Sequence, residues 1–217
     1  MLPDELARNE LQKAAFIVTP GRQRSGMLGG LVEALQRQYI EAVIYTGVRE
    51  NPDLESVTDC VRFLKSHRPD VLVGFGGGSS LDTAKAAGIC YANGVEDLRN
   101  LLAMLKKRRS TPVIMVPTTA GSGSEVNYWS VITDKAAKEK LSIGDPGMSP
   151  LLALVDPRLC ISLHEKATLY TGIDALTHAV ESYFSATSNW MSDMLGCGAI
   201  SLIVTSLEQA IADGQDV

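Results

Sequence analysis

Three stretches of this sequence set glycines, small polar residues and titratable groups at spacings that can do chemistry. In the first, an apolar run from Val71 meets Gly76, Gly77, Gly78, Ser79 and Ser80 and continues into Leu81-Asp82-Thr83-Ala84-Lys85. Glycines let an anion approach the backbone, and the N–H groups and dipole of a new helix favour its negative charge, so this turn suits a pyrophosphate. The same letters also describe a tight strand-to-helix turn capped by Ser80, and the run alone does not separate the two readings. The second stretch, Pro117 to Glu125, repeats the arrangement after an apolar run at 112–116. There Thr118, Thr119 and Ser122 would hydrogen-bond a nucleotide in a crevice at strand ends, the competing reading being an ordinary polar loop. In the third, Asp174 and His178 lie four apart. On a helix both point from one face and can hold one divalent metal through carboxylate oxygen and imidazole nitrogen, although a plain i,i+4 hydrogen-bonded pair has the same spacing.

The elements that must position these residues follow from periodicity. β-branched runs at 15–19, 42–46, 71–76 and 112–116 alternate with helical patterns at 25–38 and 52–66. Strands separated by crossover helices predict an α/β fold, a doubly wound, mostly parallel sheet of Rossmann-like type, because parallel neighbours need long connections that cover both faces. The pattern then changes to a hairpin, with strands at 129–133 and 139–143, followed by one more strand at 151–155. Beyond His164 two helices are expected, at 165–184 and 189–212, from apolar residues at three- and four-residue spacing. The boundary falls near 158–164. A dinucleotide-type α/β domain over 1–160 would therefore precede the first helices, 161–217, of an all-α domain too short here to close its own core.

Composition narrows the classes of function. A net charge of −5 offers no field for a phosphate backbone, and the one basic run, Lys106 to Arg109, reads as a helix C-terminus, so no nucleic-acid partner is expected. The N-terminal residues are charged, with no apolar core for a signal peptide. The longest apolar run, near 194–204, is short and glycine-rich for a bilayer span, giving an expectation of no membrane partner and a cytoplasmic location. Cys60, Cys90, Cys160 and Cys197 are scattered without C-x-x-C spacing and read as reduced, mostly buried thiols.

Taken together the three stretches resemble the iron-dependent (group III) alcohol dehydrogenase family. The family patterns G-G-G-S-x-x-D-x-A-K, P-T-T-A-G-[ST]-x-x-E and G-x-D-A-L-T-H-A-x-E stand at Gly76 to Lys85, Pro117 to Glu125 and Gly172 to Glu181, in the family's order. The resemblance implies a nicotinamide-dependent oxidoreductase acting on an alcohol, aldehyde or hydroxy acid, with NAD or NADP and Fe2+, or Zn2+, as cofactors. By position it sets Gly77, Gly78, Ser79 and Asp82 at the pyrophosphate, Thr118, Thr119 and Ser122 along the nucleotide, Lys140 near the nicotinamide ribose, and Asn51 within reach of the cofactor. Asp174 and His178 match two metal ligands. The family's two further histidines have no counterpart, since His67 and His164 lie upstream, so the metal site is expected to be incomplete in this sequence. No catalytic acid, base or nucleophile is assigned.

The resemblance also carries departures. The aspartate that in many NAD-preferring members meets the adenosine ribose is replaced by Pro20, followed by Gly21 and Arg22. Trp129 is set near the substrate by resemblance but reads equally as a hairpin core residue. A homodimer or higher homo-oligomer is implied as the assembly. The competing functional reading is a cofactor-binding fragment without catalysis.

Overall fold

The computed structural model describes residues 2–104 and 109–215, so most of the basic run lies outside the described residues. In chain order the elements are α1 (Leu2–Arg8), β1 (Lys13–Ile17), α2 (Pro20–Arg24), α3 (Gly29–Arg37), β2 (Glu41–Tyr45), α4 (Leu54–His67), β3 (Val71–Gly76), α5 (Gly78–Ala92), α6 (Leu98–Leu102), β4 (Val113–Pro117), β5 (Trp129–Asp134), β6 (Glu139–Gly144), β7 (Leu152–Ala153), α7 (Glu165–Phe184) and α8 (Trp190–Ala212). The chain divides into two compact units. One comprises Met1–Pro117 and Ser124–Val155, the other Thr118–Gly123 and Asp156–Val217.

In the first unit five parallel strands order as β2-β1-β3-β4-β7, and β5 and β6 form a separate antiparallel pair. The parallel strands are near-continuous apolar runs because helices cover both faces, and Phe16, Ile17, Leu72, Val73, Ile114 and Met115 are completely buried. Helix α5 has Leu81, Ala84, Ala86, Ala87, Ile89 and Cys90 buried, so it is packed nearly all round rather than along one stripe. With this strand order the chain turns outward in opposite directions from β1 and β3. That pair marks the topological switch point, where open α/β sheets leave a crevice at the carboxyl ends of their strands.

The helix expected at 25–38 is α3, shortened to Gly29–Arg37, and a short helix that was not expected, α2, precedes it. Thr19 caps α2 by accepting a hydrogen bond from the Arg22 N–H at 3.3 Å, with Pro20 in the first turn. Gly26, at a φ of +76°, then breaks the path before α3. The strand expected at 151–155 shrinks to two residues, Leu152 and Ala153, paired with Ile114 and Met115.

Helix α4 opens with a capping box. Asp53 Oδ1 accepts from the Ser56 N–H at 2.8 Å, and Ser56 Oγ accepts from the Asp53 N–H at 3.0 Å. Lys135 donates to the same carboxylate, which Arg49 Nη1 approaches at 3.3 Å. Burial pushes the Asp53 carboxyl up, but the hydrogen bonds from Lys135 and Ser56 and the Lys135 charge outweigh it and leave a pKa of about 2. This folded value lies below the ordinary ~3.9 of an unfolded aspartate, so the stabilisation is present above that value and lost as pH falls through 2. Asp53→Ala should therefore lower unfolding stability by about 2 kcal/mol at neutral pH. Urea denaturation of both proteins between pH 5 and pH 2 should show the difference shrinking, and a constant difference would remove the carboxylate from this role.

The second unit contains α7 and α8, packed on one another as a hairpin. His164 caps α7, its Nδ1 accepting from the Ala167 N–H at 3.2 Å, and Asn189 caps α8 through Met191 and Ser192. By length and a mean hydropathy of 1.5, α8 is long and apolar enough to cross a membrane, contrary to the expectation from the short run at 194–204. The helix spans 23 residues, and its serines, threonines and glycines dilute the apolar character without ending it. Cys60 and Cys90 are buried, Cys160 is half-buried and Cys197 is exposed, so burial holds for two of the four free thiols.

Candidate functional site

The buried strand β3 ends at Gly76 with a φ of +147°, a conformation that side chains avoid. A Cβ there would also meet Ser80 Oγ at 2.6 Å. Gly77 is the N-cap of α5 and offers no side chain to its first turn, which leaves helix N–H groups at the turn without a side-chain acceptor. Ser80 is fully buried, and its Oγ has no hydrogen-bond partner among the described residues. An unpaired buried hydroxyl costs free energy comparable to a lost hydrogen bond, and an acceptor from outside the chain would remove that cost. The donor set therefore fits an anion such as pyrophosphate: a bare helix start, a glycine approach and a waiting hydroxyl. The turn lies at the switch point, whose other side is the Thr19–Arg24 segment after β1. There Arg22 Nη1 lies 3.4 Å from Met27 Sδ, and Arg24 is exposed.

Two further candidates converge on Thr133. Lys140 pairs with Thr133 across the hairpin, and the Thr133 N–H donates to Pro52 O at 2.8 Å, next to Asn51. Asn51 holds a left-handed φ of +50°. Trp129 is half exposed at the start of β5, not a hairpin core residue.

Asp82 is placed otherwise than the pyrophosphate reading expects. Its Oδ1 accepts from Ser124 Oγ at 2.6 Å and its Oδ2 from the Val131 N–H at 2.9 Å, while its backbone oxygen accepts from Ser130 Oγ at 2.9 Å. Burial raises its pKa, against the lowering by Ser124, the Val131 N–H and Lys85. A carboxylate so engaged braces β5 against α5, and its charge would repel phosphate. Lys85, one turn on, is the residue that sequence reasoning missed. Its side chain is fully buried, and Nζ donates to Ser124 O at 2.8 Å, to Asn127 O at 3.2 Å and to Trp129 O, with Asn127 Oδ1 at 3.3 Å and Asp82 Oδ1 at 3.8 Å. Burial pushes its pKa down to about 8 against the attraction of Asp82 and Glu125. A lysine set among Ala84, Ala86 and Ala87 was the available signal, because a buried ammonium must find acceptors.

In the second unit the loop Thr118–Gly123 packs on α7. A Cβ on Gly121 would meet Thr171 O at 2.9 Å, so this glycine of the second motif serves close helix approach. Thr118 is fully buried, and Thr119 and Ser122 are half-buried in the same loop. Asp174 and His178 share one face of α7, with Oδ1 and Nε2 3.6 Å apart and both side chains about half exposed. Ligands bound at about 2.0–2.2 Å to one ion can span that gap, and a carboxylate with an imidazole suits Fe2+ or Zn2+, so the pair fits a divalent metal. Among the described residues no third His, Cys, Asp or Glu joins it.

Comparison with known proteins gives the same frame. Residues 1–157 match the family model described as iron-containing alcohol dehydrogenase, and residues 168–217 match that of the Fe-containing alcohol dehydrogenase family, C-terminal. A choline dehydrogenase of Bacillus subtilis is 36% identical over 99% of this chain and 54% of its own length. Alcohol dehydrogenase 4 of Saccharomyces cerevisiae is 32% identical over 98% of this chain and 56% of its own. Among solved structures, sulfoacetaldehyde reductase from Bifidobacterium kashiwanohense in complex with NAD+ superposes with a TM-score of 0.92 at 28% identity, covering 99% of this chain and 57% of that one. A 1,3-propanediol oxidoreductase gives 0.92 at 31% identity, over 99% and 56%. The chain spans about half the length of the curated relatives it matches.

Proposed function

From the premise that this chain belongs to the iron-containing alcohol dehydrogenase family, we propose that it binds a nicotinamide dinucleotide and serves hydride transfer between that cofactor and an alcohol or aldehyde. The observation that carries the reading is the Gly76–Ser80 turn, with its buried, unpartnered Ser80 hydroxyl at the switch point of the sheet. Gly76, Gly77, Gly78, Ser79 and Ser80 take the pyrophosphate. Thr118, Thr119 and Ser122 hydrogen-bond along the nucleotide, and Asn51 and Lys140 hold the ribose end. Asp174 and His178 hold the divalent metal. When bound, the dinucleotide supplies a hydride acceptor or donor and the metal supplies Lewis acidity. The chain's own contribution is to bind and orient. The free thiols suit a reducing, cytoplasmic setting.

A second reading, dinucleotide binding without turnover, is favoured by the two-donor count at the metal pair. An assay of primary-alcohol oxidation with added Fe2+, followed by the absorbance of reduced nicotinamide, separates the two. Turnover supports the first reading; calorimetric binding without turnover supports the second, and absence of binding overturns both.

Cofactor choice is part of the same reading. A carboxylate beside the adenosine ribose selects NAD and repels a 2′-phosphate, and Pro20 does neither. Arg22 and Arg24, in the same short helix as Pro20, are the proposed donors for that phosphate. NADP should therefore bind within roughly tenfold of NAD, and Pro20→Asp should widen the gap in favour of NAD by a further tenfold or so. Dissociation constants at matched ionic strength decide. A strong NAD preference that Pro20→Asp leaves untouched places selectivity elsewhere.

A further inference from the structure

Lys85 and Asp82 sit one turn apart on α5, and among the described residues every acceptor of Lys85 outside α5 belongs to residues 124–129. That stretch contains only a single 3-10 turn, Ser124–Val126, and no strand ladder holds it before β5 begins. Asp82 adds Ser124 Oγ–H at one end and the Val131 N–H at the other. The Trp129 N–H, in turn, donates to Asn127 Oδ1 at 2.8 Å, the atom that also faces the Lys85 ammonium. A methionine would fill the same buried space with no charge to desolvate; what the lysine adds is a directional hold on three backbone carbonyls. With its Nζ donors already spent on these acceptors, unlike the unpartnered Ser80 hydroxyl, it has none to offer a ligand.

We propose that Lys85, seconded by Asp82, is a positioning residue that sets the course of residues 124–131 and, through β5, the hairpin bearing Lys140. The G-G-G-S-x-x-D-x-A-K stretch then divides its labour. Its glycines and serines face the cofactor, while its aspartate and lysine hold the next segment in place from behind. The link to cofactor binding rests on the dinucleotide reading above.

Hydrogen exchange and calorimetry on the same proteins test it. Lys85→Met should speed exchange of the Trp129 and Val131 amides by roughly tenfold or more while the strand amides of Ala15 and Phe16 keep their protection. It should also weaken NAD binding by roughly tenfold through loss of support for the hairpin. Should Lys85→Met fail to fold, Asn127→Leu removes one acceptor from the cage and should loosen the same two amides. Asn127→Asp, which keeps an oxygen facing both the ammonium and the Trp129 N–H, should leave them protected. Unchanged exchange in Lys85→Met, or in Asn127→Leu, overturns the latch. Loosened amides with unchanged NAD affinity overturn its role at the cofactor site. If the unmodified chain binds no dinucleotide, the functional reading fails, and the exchange data still judge the latch.

Discussion

Gly76→Val should abolish measurable dinucleotide binding, a fall of at least roughly a hundredfold, and should lower unfolding stability by about 2–4 kcal/mol. The φ of +147° at this position belongs to a region that is essentially glycine's alone, and a non-glycine residue held there costs about 1–3 kcal/mol. Any Cβ, moreover, lands 2.6 Å from Ser80 Oγ and 3.0 Å from Ser80 Cβ. Ser80 is buried at the first turn of α5, so relief of the clash must shift the helix start that the phosphate would use. Gly76→Ala carries the same Cβ and should move in the same direction, with a smaller loss. Calorimetry with NAD, beside thermal unfolding of each variant, separates the binding effect from the stability effect. A folded Gly76→Val with undiminished affinity would falsify the assignment of this turn.

The second large effect concerns the metal. His178→Ala should lower affinity for Fe2+ or Zn2+ by at least roughly tenfold, because it removes one of the two protein donors and leaves a lone carboxylate. Binding by the unmodified chain should itself be weak for the same reason, with water filling most of the coordination sphere. Both side chains are about half exposed, so the substitution should change stability by no more than about 0.5 kcal/mol and leave dinucleotide affinity alone. Metal titration followed by elemental analysis after dialysis checks this. Equal metal retention in the two proteins would show that the ion is held by other residues.

The elements most legible in the sequence were those whose signal is local. The buried strand β3 ends in glycines, and α7 runs between a capping His164 and Phe184, so both were read to the residue. Thr19-Pro20, an N-cap followed by a first-turn proline, is the local signal of the short helix α2, which the strand expected at 15–19 overlaps and obscures. The strand order was out of reach, because crossover connections fix parallelism but not which neighbours pair. Asp174 and His178 could be placed one turn apart from spacing alone, and the structure adds their separation and exposure. Asp82 shows the opposite case. Its partners, Ser124 and Val131, are more than forty positions away, so nothing nearby in the sequence could tell a bracing carboxylate from a ligand-facing one. Lys85 needed the same distant information, since its acceptors are mostly backbone carbonyls that carry no residue signature.

The excursion of Thr118–Gly123 into the second unit has a consequence for how the chain is made. Gly121 packs on Thr171, which a ribosome adds roughly fifty residues later. At synthesis rates of about 5–20 residues per second, the loop waits roughly 3–10 seconds for its helix, a period in which β3 and β4 can already pair. During that wait the six-residue segment is an accessible protease target on a nascent chain, and it is closed only when α7 arrives.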